Sequence, residues 1–260
     1  MNLDFSRIFG TALRYPLRAD VFFPMFAVYT IMNIMLWFMG EFQSLSLQYT
    51  AAVFAIGLAG WIALIFLIGV YIDNSVYFYS GKRKDILKSA ETGKKRFLPL
   101  LATSVIIGAI MVACMGTGIL IMLLSLASLP SSVNLVMLLG GLGMFLIGMV
   151  MAVVLYFMMF LAPVFCVAEK RGPVESVKKS WSTVRKNKLN TLVFMIIMAL
   201  IYFAVSAVGG LPEAVYTLSL GEIPAVSVQG LAFLLVRVFF SSYLILFVIS
   251  SEVNYYRSIK

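Results

Sequence analysis

Six apolar runs, at about 21–40, 51–79, 97–126, 133–168, 189–208 and 228–253, dictate what this chain can become. Each supplies at least the ~20 residues a helix needs to cross the ~30 Å hydrocarbon layer of a bilayer. With 62% hydrophobic and 12% charged residues and a mean hydropathy of +1.01, a water-soluble domain could not hide this much apolar surface. The fold class expected is all-α: a polytopic membrane protein with six transmembrane helices. Continuous apolar runs of this length satisfy every backbone polar group within lipid only as helices.

Basic residues mark one side of the membrane. Lys and Arg number three in 1–20, seven in 80–97, seven in 169–188 and two after 253, whereas 41–50, 128–133 and 209–227 contain none. By the positive-inside rule the chain is expected in the cell membrane with both termini cytoplasmic. The formal charge of +9 follows these flanking segments rather than tiling a polar face. Anionic lipid headgroups therefore explain it better than nucleic acid, which is not an expected partner.

The two basic segments resemble each other. Setting Gly81 on Gly172 without gaps puts Ser89 on Ser180, Thr92 on Thr183 and Lys95 on Lys186. Residues 3–18 enter the pattern when Phe22-Phe23-Pro24 is set on Phe97-Leu98-Pro99. The reading is a single integral membrane domain, 1–260, of internally repeated units at about 1–79, 80–168 and 169–260, each a cytoplasmic-side amphipathic interfacial helix followed by a helical hairpin. In 3–18, Phe5, Ile8, Phe9, Ala12 and Leu13 follow one helix face, and Pro16 is expected to end or bend the helix. In 173–186, Val174, Val177, Trp181 and Val184 form the stripe. Lys178, Lys179, Arg185 and Lys186, with Lys94, Lys95 and Arg96 upstream, are the candidate contacts to the inner leaflet or to a cytoplasmic protein partner.

Within the spans, Arg237 is the single basic residue, about nine residues below the outer end of the last run, near 13 Å at 1.5 Å per residue. A charge at that depth is a candidate anion or lipid-headgroup site, the plainer alternative being a side chain that snorkels or pairs with a neighbour. Gln229 shares its helix face and is a candidate for the same pocket. The sequence shows no acid within a span at that depth as an obvious partner, Glu213 and Glu222 being placed in the outer loop as candidates to reach it. Asp73 and Asn74 form a candidate buried polar pair near the cytoplasmic end of span two. Pairing with nearby Lys and Arg is the simpler account of Asp73, Glu169 and Glu252.

Enzyme chemistry finds little purchase. The chain has no histidine, which removes the commonest general base and metal ligand, and no phosphate loop or zinc-spaced cysteines. No metal, cofactor or catalytic residue is expected. Cys114 and Cys166 lie in apolar surroundings and are read as small hydrophobes rather than a disulfide. Met1–Asp4 is not basic, so no cleavable signal peptide is expected.

The run from Leu161 to Leu192 resembles a segment of a broad superfamily of six-span membrane proteins. That superfamily includes the membrane domain fused to some bacterial glycerophosphodiester phosphodiesterases. Pro163, Glu169, Gly172-Pro173, Ser180-Trp181, Val184 and Arg185-Lys186 carry the resemblance, with Tyr255-Tyr256-Arg257 near the end. It implies a helical bundle of three hairpin units and transfers no phosphodiesterase activity. The leading functional expectation is a non-enzymatic protein that binds or moves a lipid or other amphiphile. The alternatives are an accessory subunit docking a cytoplasmic partner or the inner leaflet, and a secondary transporter.

Overall fold

The computed structural model describes residues 3–40, 47–82, 84–127, 135–220 and 227–260, and these are helical with short connections. In chain order the helices are α1 (Phe5–Ala12), α2 (Ala19–Gly40), α3 (Leu47–Tyr79), α4 (Ile86–Ala127), α5 (Leu135–Met159), α6 (Ala162–Ala168), α7 (Pro173–Lys186), α8 (Lys188–Leu220) and α9 (Val228–Ser258). Among the described residues, six helical stretches are long and apolar enough to cross a membrane, as the hydropathy pattern requires. Much of the turn at 41–50, the turn at 128–133 and Glu222 lie outside the described residues.

Four boundaries differ from the sequence expectation, each for a local reason. The segment at 84–96 is not a separate interfacial helix. It forms the first turns of α4, a single 42-residue helix that keeps Pro99 in its interior. Nothing between Ile86 and Pro99 breaks a helix, and an internal proline removes only one backbone bond. Span four instead breaks after Met159. Pro163, in the first turn of α6, has no N–H to offer the Met159 carbonyl. Helix α8 runs through Gly209, Gly210 and Pro212 to Leu220, where a loop had been expected. Helix α1 ends at Ala12, four residues before Pro16.

The chain divides into two compact units, one of Met1–Phe97 with Leu189–Lys260 and one of Leu98–Lys188. In the first, the apolar side of α1 is covered by protein rather than turned toward lipid. Ile8, Phe9 and Ala12 are buried, and the Phe9 ring stacks on Phe194 at 5.4 Å and lies 6.3 Å from Phe247. Asn254 Nδ2 donates to Ile8 O (2.9 Å) and Thr11 Oγ1 (2.8 Å), fixing α1 to the end of α9. The chain after α1 is held equally firmly. Tyr15 is fully buried, and its hydroxyl donates to Asn74 Oδ1 at 3.1 Å, with the Tyr71 carbonyl at 3.3 Å. Tyr71 OH donates to Val21 O at 3.0 Å.

In the second unit, helices α4 and α5 approach backbone to backbone. A methyl on Gly118 would lie 2.3 Å from Phe145 N, and one on Gly148 would lie 2.1 Å from Cys114 O. These pairs, with Gly141 against Met122, set an antiparallel register that only small residues permit. Helix α7 packs on α5 and α6 through Ser176, Ser180 and Val184, buried at four-residue intervals. Ser180 Oγ donates to Met158 O at 2.9 Å, a carbonyl in the last turn of α5 where helical partners run out.

Candidate functional site

Helices α8 and α9 form an antiparallel pair that is joined along much of its length. At one end the hydroxyls of Thr191 and Tyr255 are 2.6 Å apart, and Phe194 stacks on Tyr255 at 4.4 Å. Further along, Gly209 allows Phe240 to approach so closely that a methyl on Gly209 would be 3.0 Å from Phe240 Cβ. Near the other end Tyr216 meets Phe233 edge-on at 5.4 Å. Two helices pinned in this way hold the side chains between them at fixed separations.

A cavity of about 470 Å³ opens along this pair. Phe203, Ser206 and Glu213 line it from α8, at intervals of three and seven residues that fall on one helix face. Arg237, Phe240 and Ser241 line it from α9, spaced by three and four. The volume falls within the range typical of small-ligand sites. Its walls are apolar and aromatic, two serines supply hydroxyls, and the two charges are of opposite sign.

Glu213 is the residue that sequence reasoning misplaced. In place of an outer loop at 209–227, α8 continues through Gly209, Gly210 and Pro212 and carries it on the cavity wall. The usable signal was the seven-residue interval from Ser206. Among the described residues no ion pair joins Glu213 to Arg237. Arg237 is exposed, Glu213 half-exposed, and Tyr29 of α2 lies within electrostatic range of the guanidinium. Gln229 is exposed and does not line the cavity, a correction to its expected role. Eight residues at 1.5 Å per residue set it about 12 Å further along α9.

Axial distances place this cavity far from the basic segments. Arg237 is 20 residues from Arg257 along α9, about 30 Å, and Glu213 is 25 residues from Lys188 along α8, about 37 Å. A hydrocarbon layer of ~30 Å measured from the basic end therefore finishes near this pair. Phe203, on the cavity wall, is itself exposed.

Asp73 and Asn74 are engaged in holding the fold. Lys84 Nζ pairs with Asp73 Oδ2 at 2.5 Å and lies 4.4 Å from the Tyr77 ring centre. Asn74 accepts from Tyr15 and donates through Nδ2 to Lys84 O at 2.9 Å. Both polar groups thus tie the α3–α4 connection, and the chain before α2, to α3. Burial of Tyr15 pushes its phenol pKa well above the usual value of 10.0. Glu169 pairs with Arg171 at 2.7 Å.

On α7 the exposed cations occupy two faces. Lys178 and Arg185, seven residues apart, lie opposite the buried seam beside the exposed Val174 and Trp181, while Lys179 and Lys186 lie further round, between that face and the seam. The expected apolar stripe is therefore divided, with Val184 turned to the protein and Val174 and Trp181 turned outward. Lys94 and Lys95 are exposed and Arg96 half-buried on the early turns of α4.

Residues 6–259 match one protein-family model, whose description reads "Domain of unknown function". No curated protein and no solved structure matches the chain.

Proposed function

Starting from the premise that the chain belongs to the DUF7847 family and is a six-span helical membrane protein, we propose that it binds or moves a lipid or other amphiphile without catalysing a reaction on it. The observation that supports this reading is the lipid-facing cavity between α8 and α9, with Arg237 on its wall. An arginine at that depth is stabilised when an anionic headgroup reaches it, and the aromatic walls suit acyl chains. The test is native mass spectrometry of protein purified in mild detergent. Wild type should carry a discrete lipid that Arg237→Ala loses, and equal retention by both would remove the main support.

We place the protein in the cell membrane with both termini cytoplasmic, because the lysines and arginines gather at one end of the spans. A second reading, an accessory subunit docking a cytoplasmic partner, is favoured by Lys179 and Lys186 alone. They are exposed on a side of α7 away from the outward Val174 and Trp181. Charge reversal at Lys178, Lys179, Arg185 and Lys186 should then release that partner in a pull-down.

A further inference from the structure

We infer that the cavity between α8 and α9 is selective for a zwitterionic phospholipid headgroup, one carrying a phosphate and an ammonium. The inference rests on the lipid-binding reading above and names its ligand class. Arg237 and Glu213 line one cavity from facing helices without forming an ion pair with each other. Two opposite charges on the walls of one cavity that make no ion pair with each other leave both groups open to a ligand that carries both signs. A purely anionic headgroup would satisfy Arg237 and be repelled by Glu213. A zwitterion satisfies both, with phosphate on the guanidinium and ammonium on the carboxylate, while the hydroxyls of Ser206 and Ser241 stand on the same walls.

The depth agrees with this assignment. Gly209 faces Phe240 and Tyr216 meets Phe233, so Glu213 and Arg237 stand at nearly the same level of the antiparallel pair, within about 2 Å at 1.5 Å per residue. The phosphate and ammonium of one headgroup are a few bonds apart, so a single zwitterion would meet both side chains across the cavity. The exposed Phe203 and the buried Leu244 sit on the hydrocarbon side of the charges, where acyl chains would lie. The separation of roles is specific: Arg237 supplies affinity for any phospholipid, and Glu213 supplies the preference.

The experiment titrates delipidated protein in detergent with phosphatidylethanolamine and phosphatidylglycerol of identical acyl chains, with bound species counted by native mass spectrometry. Wild type should favour phosphatidylethanolamine by about tenfold, the worth of one charge-assisted hydrogen bond. Glu213→Gln should erase that preference by strengthening phosphatidylglycerol binding and weakening phosphatidylethanolamine binding, Glu213→Asp should keep part of it, and Arg237→Ala should weaken both lipids. Equal wild-type binding of the two lipids, or a preference that survives Glu213→Gln, would overturn the inference yet leave the lipid-binding reading intact as long as Arg237→Ala still weakens both. Binding of both lipids that is indifferent to Arg237→Ala would overturn the two together.

Discussion

Gly209 of α8 faces Phe240 of α9 with no room for a side chain, since a methyl there would meet Phe240 Cβ at 3.0 Å and its ring carbons at 3.2 and 3.3 Å. The next residue, Gly210, has nothing within 4 Å of the same position. The two glycines are thus adjacent in sequence and opposite in consequence. Gly209→Val should force α8 and α9 apart and cost about 1–3 kcal/mol by overpacking, whereas Gly210→Ala should be close to neutral. Reversible unfolding in detergent, followed by circular dichroism, measures both, and equal effects would show that the helix contact is not set by Gly209.

Tyr15 predicts a pH dependence. Its phenol is buried against Asn74 and Tyr71, and its folded pKa is raised above the unfolded value near 10. The sign follows from linkage: the neutral form is favoured in the fold, so its contribution is complete below about pH 10 and is lost as pH rises toward the folded pKa. Tyr15→Phe should cost about 1 kcal/mol at pH 8 through the lost hydrogen bond. The gap between the two proteins should shrink or reverse by pH 11, as wild type alone must ionise a buried phenol. A gap that stays constant from pH 8 to 11 would contradict the burial of this hydroxyl.

Ser180 closes the end of α5 by donating to Met158 O. Ser180→Ala should cost about 1 kcal/mol, and Ser180→Leu considerably more because the residue is fully buried in the α5–α7 seam. Trp181→Ala, one residue along on an outward face, should change unfolding little while weakening attachment of α7 to anionic vesicles. Comparison of the three by thermal unfolding in detergent separates packing from surface contact.

Orientation is open to a direct check. A reporter fused after Lys260 should be active only in its cytoplasmic form, because nineteen of the twenty Lys and Arg residues lie in the terminal and connecting segments of one side. An extracytoplasmic signal from that fusion would invert the proposed topology.

The number of spanning helices was legible because lipid enforces long apolar runs. Helix ends were harder to read. Pro163 stops α5 through its missing N–H, yet Pro99 and Pro212 lie inside intact helices, so the residue type alone does not decide. Arg237 announced itself as a lone charge in an apolar run, but Glu213 did not, because its place depends on α8 continuing past two glycines and a proline. Asp73 and Asn74 were conspicuous in sequence as polar residues near a span end, but their partners, Lys84 eleven residues on from Asp73 and Tyr15 fifty-nine before Asn74, come from the fold.

The most direct test asks whether a lipid occupies the cavity. A photoreactive phenylalanine analogue is introduced in place of Phe203, on the cavity wall, or of Phe54, an exposed residue of α3 outside it. Illumination in native membranes is followed by mass analysis of the adducts, with and without Arg237→Ala. The account predicts lipid adducts at both positions, with only the Phe203 adduct lost when Arg237 is replaced. A Phe203 adduct of unchanged yield and mass in Arg237→Ala protein would show that lipid merely brushes this surface, and would contradict a site built around Arg237.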